Sequence, residues 1–209
     1  ETVDRAVCRL LTELFRLGLF EDPYTDETAA DALVNTEESR AAAYRAHQKS
    51  VVALKNKGAL LPLTSEKLAG KKVYVEMMMR TDYTEEELQA MALSGSGADP
   101  KETIAAFAGA VRKDHPDWTF TDDYRDADVA ILLLKPTSGS YFEATKSYLE
   151  LNVCRETGID VDHIRAVREA VPHVVMHVNL NLPYLLTNVE PMADALTVGF
   201  DTFTKAALD

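Results

Sequence analysis

Cysteine is scarce in this chain, with two in 209 residues, Cys8 and Cys154, far apart and lacking a CxxC pair or a histidine neighbour. That excludes a disulfide framework and argues against a thiolate metal or redox centre; two buried free thiols are expected. Basic residues are also few, 22 Lys and Arg against 34 Asp and Glu, for a formal net charge of −12 and a pI near 4.9. A nucleic-acid groove or an anionic membrane surface needs clustered positive charge, so neutral or cationic partners fit better. No apolar stretch approaches the roughly 20 residues of a membrane span, and no basic-then-apolar leader opens the chain. With no extracellular signature visible, a cytoplasmic location is favoured over secretion. The chain starts at Glu1 rather than at a methionine, so a fragment of a longer protein is expected. What the sequence does have, 46% hydrophobic and 27% charged residues, suits one large globular domain or a domain with an appendage.

Hydrophobic spacing divides the chain into two regimes. "VDRAVCRLLTELFRLGLF" places Val3, Val7, Leu10, Leu11, Leu14 and Leu17 on one stripe of a helix that Gly18 would stop. "EDPYTDETAADALV" reads as connecting chain. "NTEESRAAAYRAHQKSVVALKNKG" reads as a second helix, with Asn35 or Thr36 as N-cap, Glu37 and Glu38 in its first turn, Lys55 and Lys57 in its last, and Gly58 beyond. The period then changes. "KKVYVEMMM", "DVAILLLK", "HVVMHVNLNL" and "ADALTVGF" have strand length and β-branched content, with "WTFTD" a shorter fifth. Helical segments "PKETIAAFAGAVRKDHP", "VDHIRAVREAVP" and "FTKAALD" fall between or after them. Doubly buried strands alternating with helices predict an α/β fold with a doubly wound, mostly parallel sheet, and ligands then meet the loops at the strands' carboxyl ends.

Most catalytic signatures are missing. "SGSG" at 94–97 follows no strand and lacks both GxGxxG and a GK[ST] ending, so it reads as loop, and no GxSxG elbow exists. His173 and His177, four apart on a predicted strand, are spaced too far for one tight metal site, and with His163 they read as core or edge histidines. Asp122, Asp123 and Glu76 could imitate the acidic pocket of a receiver domain, but solvated loop acids explain the pair better. The remaining candidate is the loop after "AILLLK", in which "PTSGSYFEATKSYLELN" carries Glu143 between an aromatic pair and Lys146, just past a strand's carboxyl end. By position alone it reads as a solvated loop acid.

Longer patterns alter that reading. "RLGLFEDPY", the Asn-Thr cap, the "SVVALKN" helix end, "LLPL" and a strand opening "KKVYV" occur in the order and spacing of family 3 glycoside hydrolases, and the chain resembles the part of that family where the barrel domain ends and the second domain begins. "SYFEATKSYLELN" is similar to one form of the family's acid/base loop, with Glu143 at the matching position. Two departures stand beside this: Asn181 and Leu182 precede Pro183 where relatives commonly have a glycine, and "VEMMMR" lacks the Gly-Pro that often ends the first strand.

The resemblance implies residues 1–20 as the last helix of a (β/α)8-like barrel, 21–70 as an interdomain linker with one helix, and 71–209 as most of an α/β sandwich domain lacking its last strand. It implies retaining hydrolysis of terminal β-linked sugars in the full-length enzyme, with a nucleophile outside this chain and Glu143 as acid/base. Tyr141 and Phe142 would wall the acid or stack on a pyranose, or else anchor the loop. Lys146 would reach a sugar hydroxyl or stay solvated. No cofactor or metal is called for. The partners are a β-linked glycoside and the barrel domain, with a homo-oligomer left open and neither nucleic acid nor membrane among them. The alternative is a non-catalytic cleft domain of an N-acetylglucosaminidase-type relative.

Overall fold

The computed structural model describes residues 1–24, 26–93, 99–138, 149–200, 202 and 204–209. Its contacts divide the chain into two units, 1–43 and 44–209. In the first, α1 (Thr2–Arg16) is the predicted amphipathic helix, and the chain turns just beyond it at Gly18, whose φ of +71° suits a residue without a Cβ. No residue of α1 is buried; Val3 and Leu10 are 73% and 71% exposed, and Cys8 is exposed rather than buried as expected. The stretch read as connecting chain contains a second helix, α2 (Glu27–Leu33). Asp26 caps it by accepting from the N–H groups of Thr28 (2.9 Å) and Ala29 (3.1 Å).

The next helix, α3 (Glu37–Ser50), is capped by Thr36, which accepts from Ser39 N–H at 3.2 Å. It is shorter than predicted. Residues Val52–Asn56 leave the helix and form strand β1, paired antiparallel with the last strand through Val52 opposite Val198 and Asn56 opposite Ala195. The open edge of that strand satisfies the backbone of this segment, and tertiary pairing overrides local helix preference. Gly58 is therefore not a helix cap. At φ +63° it sits in the turn after β1, where Asn56 accepts from Leu61 N–H (2.8 Å) and donates to Leu61 O (3.1 Å). Lys67, on the short helix α4 (Ser65–Leu68), donates to the carbonyls of Ala59, Leu60 and Pro62 and holds the same turn from the other side.

Then follow β2 (Lys72–Met79), α5 (Glu85–Leu93), α6 (Pro100–Asp114), β3 (Thr119–Phe120), β4 (Val129–Lys135), α7 (Val161–Ala170), β5 (His173–Leu180), β6 (Ala195–Phe200) and α8 (Thr204–Leu208). All five predicted strands form. The sheet order is β1-β6-β5-β4-β2-β3, parallel except for β1. This is the doubly wound, mostly parallel α/β architecture expected from the sequence. β4 lies in the middle with six consecutive buried residues, Val129 to Leu134. Its alternate side chains serve opposite layers: Ala130, Leu132 and Leu134 pack with Ile164 and Val167 of α7, whereas Val129, Ile131 and Leu133 pack with Phe107 and Val111 of α6.

Asp194, just before β6, ties α7 to the sheet. Its carboxylate accepts from Val174 N–H at 3.1 Å and pairs with Arg168. Burial works against the charge, but the Val174 N–H and the Arg168 guanidinium outweigh it and hold the carboxyl below the ordinary 3.8. A depressed folded pKa means that this stabilisation is complete above the unfolded value and is lost as pH falls through the folded one. Asp194→Asn is expected to lower stability at pH 7 by about 1.5–3 kcal/mol and to flatten the acid limb of urea-measured stability between pH 7 and pH 3.

Candidate functional site

After edge strand β1, the chain enters the parallel part of the sheet at β2, runs outward to β3, returns past β2 to β4 and continues outward through β5 to β6. Direction reverses between β2 and β4. The segments leaving their carboxyl ends diverge, one toward α6 on one face and the other toward α7 on the opposite face, and such a divergence opens a crevice where α/β sheets bind ligands. The segment predicted to carry chemistry starts here. Glu143, Tyr141, Phe142 and Lys146 lie in 139–148, outside the described residues, as does the 94–97 loop.

Both flanks of 139–148 are described, and both are fastened. On the entry side, Thr137 N–H donates to Thr157 O at 3.0 Å, and Ser138 is buried. On the exit side, Leu185 N–H donates to Leu151 O at 2.7 Å and Val153 N–H to Leu185 O at 3.2 Å, with Asn152 and Leu185 forming a parallel bridge. The hydroxyl of Thr157 accepts from Cys154 N–H (3.0 Å) and donates to Asn152 O (2.8 Å), and Asn188 donates to Val153 O (3.2 Å). Residues 149–160 thus form a hydrogen-bonded platform beneath β5's following loop. Since Thr157 also receives Thr137, the described chain before residue 139 is tied to the 149–160 platform at the carboxyl end of β4.

Gly158 brings the chain beyond β4 against the end of β2. At φ +83° it lies against the backbone of Arg80, and an added Cβ would fall 2.4 Å from Arg80 N. Arg80 itself leaves β2 with its guanidinium fully used: Nε donates to Asp82 (2.9 Å), both Nη atoms reach Glu87 (3.2 and 3.4 Å), and the plane covers the Tyr83 ring at 4.5 Å. The hydrogen bond from Arg80 holds the Asp82 carboxyl below its usual range. Thr84 N–H first, and then the Arg80 charge, do the same for Glu87. At β5 and β6, buried Asn179 accepts from Thr202 N–H (3.1 Å) and donates to Thr202 O (3.4 Å), while Tyr184 donates to Asn181 (2.8 Å).

The competing sequence readings separate in space. Glu76 sits mid-strand in β2, bonded to Tyr74 and to His163 Nε2, each at 2.9 Å; Asp122 pairs with Arg112, and Asp123 caps Arg125 N–H. These three acids do not converge. His177 is buried in the sheet, bonded through Nδ1 to Thr197. Among the described residues no group of three or more His, Cys, Asp or Glu could hold a metal ion. Sequence reasoning passed over Arg80, Thr157, Gly158 and Asn179. Only Gly158 had a local signal, a turn glycine in "RETGID", because the other three act through partners 5 to 23 residues away.

No protein-family model matches the sequence, and no curated protein matches it either. Solved structures do. The β-glucosidase of Listeria innocua in complex with glucose is 22% identical over 98% of this chain and 29% of its own, with a TM-score of 0.62. A variant of that enzyme in complex with laminaribiose is 23% identical over the same shares, with a TM-score of 0.64. A β-glucosidase from Erythrobacter marinus is 19% identical over 98% of this chain and 32% of its own, with a TM-score of 0.58. The chain therefore spans about a third of the length of these neighbours. At such identities the likeness is one of fold: the chain has the α/β fold of the family 3 glycoside hydrolase C-terminal domain.

The positive φ of Gly158 and its contact with the Arg80 main chain leave no room for a side chain there. Gly158→Ala combines a left-handed backbone with a collision against main chain, and a loss of ~2–4 kcal/mol is expected. Thermal melts of the variant should show a drop of several degrees, whereas Gly109→Ala, where an added Cβ meets nothing within 4 Å, should not destabilise.

Proposed function

We propose that this chain is the C-terminal part of a family 3 glycoside hydrolase, a β-glucosidase or related β-glycosidase acting on terminal β-linked sugars. The observation that carries the reading is the likeness in fold across 98% of the chain to β-glucosidases, among them structures in complex with glucose and laminaribiose. The exposed apolar stripe of α1 supports residues 1–20 as the last helix of a barrel, with 21–70 as linker and 71–209 as the sandwich domain. The sixth strand of the sheet comes from within the linker, as β1. The ligand is a β-linked glycoside seated between barrel and sandwich.

Glu143 is the acid/base of this reading. Retaining hydrolysis uses two carboxyl groups about 5 to 5.5 Å apart, one attacking the anomeric carbon and the other protonating the departing oxygen and then deprotonating water. The nucleophile comes from the barrel, and its negative charge together with apolar neighbours such as Tyr141 and Phe142 favours the protonated acid. Lys146 binds a sugar hydroxyl. The fastened flanks of 139–148 support this role, because a proton donor must be held in register with a bond that another domain cleaves.

Two experiments test the proposal. The pure 209-residue chain is expected to fold but not to hydrolyse aryl β-glycosides; turnover abolished by Glu143→Gln would overturn the two-domain site. In the full-length enzyme, Glu143→Ala should slow hydrolysis of substrates with poor leaving groups by about 10²- to 10⁴-fold more than of dinitrophenyl glycosides, whose leaving group needs no proton. Added azide, which needs no base, should restore turnover of the activated substrate as a β-glycosyl azide. Equal losses without azide rescue would remove Glu143 from the chemistry and favour the alternative, a cleft domain whose enzyme draws its acid/base from the barrel.

A further inference from the structure

The loop after β5 holds a polar side chain at the carboxyl edge of the sheet without committing all of it to the protein. Asn181 stands directly past Leu180, the last residue of β5, and is half-buried. Its Oδ1 accepts from the Tyr184 hydroxyl at 2.8 Å, and the Tyr184 side chain is buried in the core layer that contains Ile164 and Val167 of α7. A buried aromatic ring is a rigid mount, so its hydroxyl fixes the plane of the Asn181 amide. Nδ2 then keeps two N–H donors that meet no partner among the described residues. Other polar side chains at this edge are committed: Arg80 to Asp82 and Glu87, Thr157 to Cys154 and Asn152, and Asn179 to Thr202.

The same loop is joined to the chain that follows 139–148. Leu185 donates its N–H to Leu151 O and accepts from Val153 N–H, and Asn188 donates to Val153 O. Asn181 is therefore mounted on the backbone that is fastened to residues 151–153. In retaining hydrolysis the nucleophile attacks the anomeric carbon from the side opposite the departing oxygen, and the acid works on the side of the departing group. With the nucleophile on the barrel, a donor mounted beside the flank of the acid's segment belongs on the leaving group's side of the scissile bond.

We propose that Asn181 helps to select the leaving group, donating a hydrogen bond from Nδ2 to a hydroxyl of the departing sugar. The inference rests on the glycosidase reading and deepens it. In the full-length enzyme, a β-linked glucose disaccharide (cellobiose or laminaribiose, whichever is cleaved faster) is compared with phenyl β-glucoside, whose leaving group has no free hydroxyl. Asn181→Ala should raise KM for the disaccharide about five- to tenfold with little change in kcat, the size expected of one net hydrogen bond made equally in the ground and transition states. The loss with the phenyl glucoside should stay within about twofold. Asn181→Leu, which keeps a branched side chain and lacks the donor, should behave in the same way. Equal losses on the two substrates, no loss on the disaccharide, a wild-type KM in Asn181→Leu, or a wild-type enzyme that cleaves the phenyl glucoside alone would overturn this inference and leave the role of Glu143 standing. A wild-type enzyme that cleaves neither substrate would overturn both.

Discussion

Six consecutive residues of β4 are buried, and the second unit is organised around that constraint. A strand with no solvent face must be covered on both sides, so its alternate side chains recruit α6 to one layer and α7 to the other. Each large aliphatic side chain removed from water contributes roughly 1.5–3 kcal/mol, and β4 supplies four of them in succession. Covering both faces with one continuous chain requires it to reverse direction beside the central strand. The reversal at β2 and β4 is also what opens the crevice, so the demand for burial and the place available for chemistry have one origin.

The carboxyl edge shows how a hydrophobic solution is made specific by polar contacts. Leu132, Leu133 and Leu134 bring the chain to the end of β4, but they do not determine how it leaves. The exit is set by Thr157, which receives Thr137 through its carbonyl and Cys154 through its hydroxyl, and by the ladder between 151–153 and Leu185. Gly158 permits the close approach to Arg80 that brings the post-β2 and post-β4 segments together. Arg80 is in turn held by Asp82 and Glu87, so the edge carries a locked cation rather than a free one.

The first unit obeys different rules. α1 is more strongly amphipathic than α6 or α7, yet its apolar stripe is exposed, while Phe107, Val111, Ile164 and Val167 on the other two are buried. Stronger patterning with less burial sets α1 apart from the helices that cover the second unit's sheet.

The sequence by itself determined the class of fold, the five parallel strands and three of the helices that cover or follow them. It could do so because burial on both faces forces a continuous apolar run and helix faces impose a 3.6-residue period, both of which are properties of neighbours along the chain. It misplaced β1, because "VALKN" continues a helix well in local terms and becomes a strand only when β6 offers an unpaired edge about 140 residues later. It passed over α2, whose capping aspartate was legible but was outweighed by a polar, turn-prone context. It could not show Arg80 meeting Gly158 or Asn179 clasping Thr202. Those are meetings of side chains and backbone groups distant along the chain, and only the tertiary fold decides which of them come within a hydrogen bond's reach.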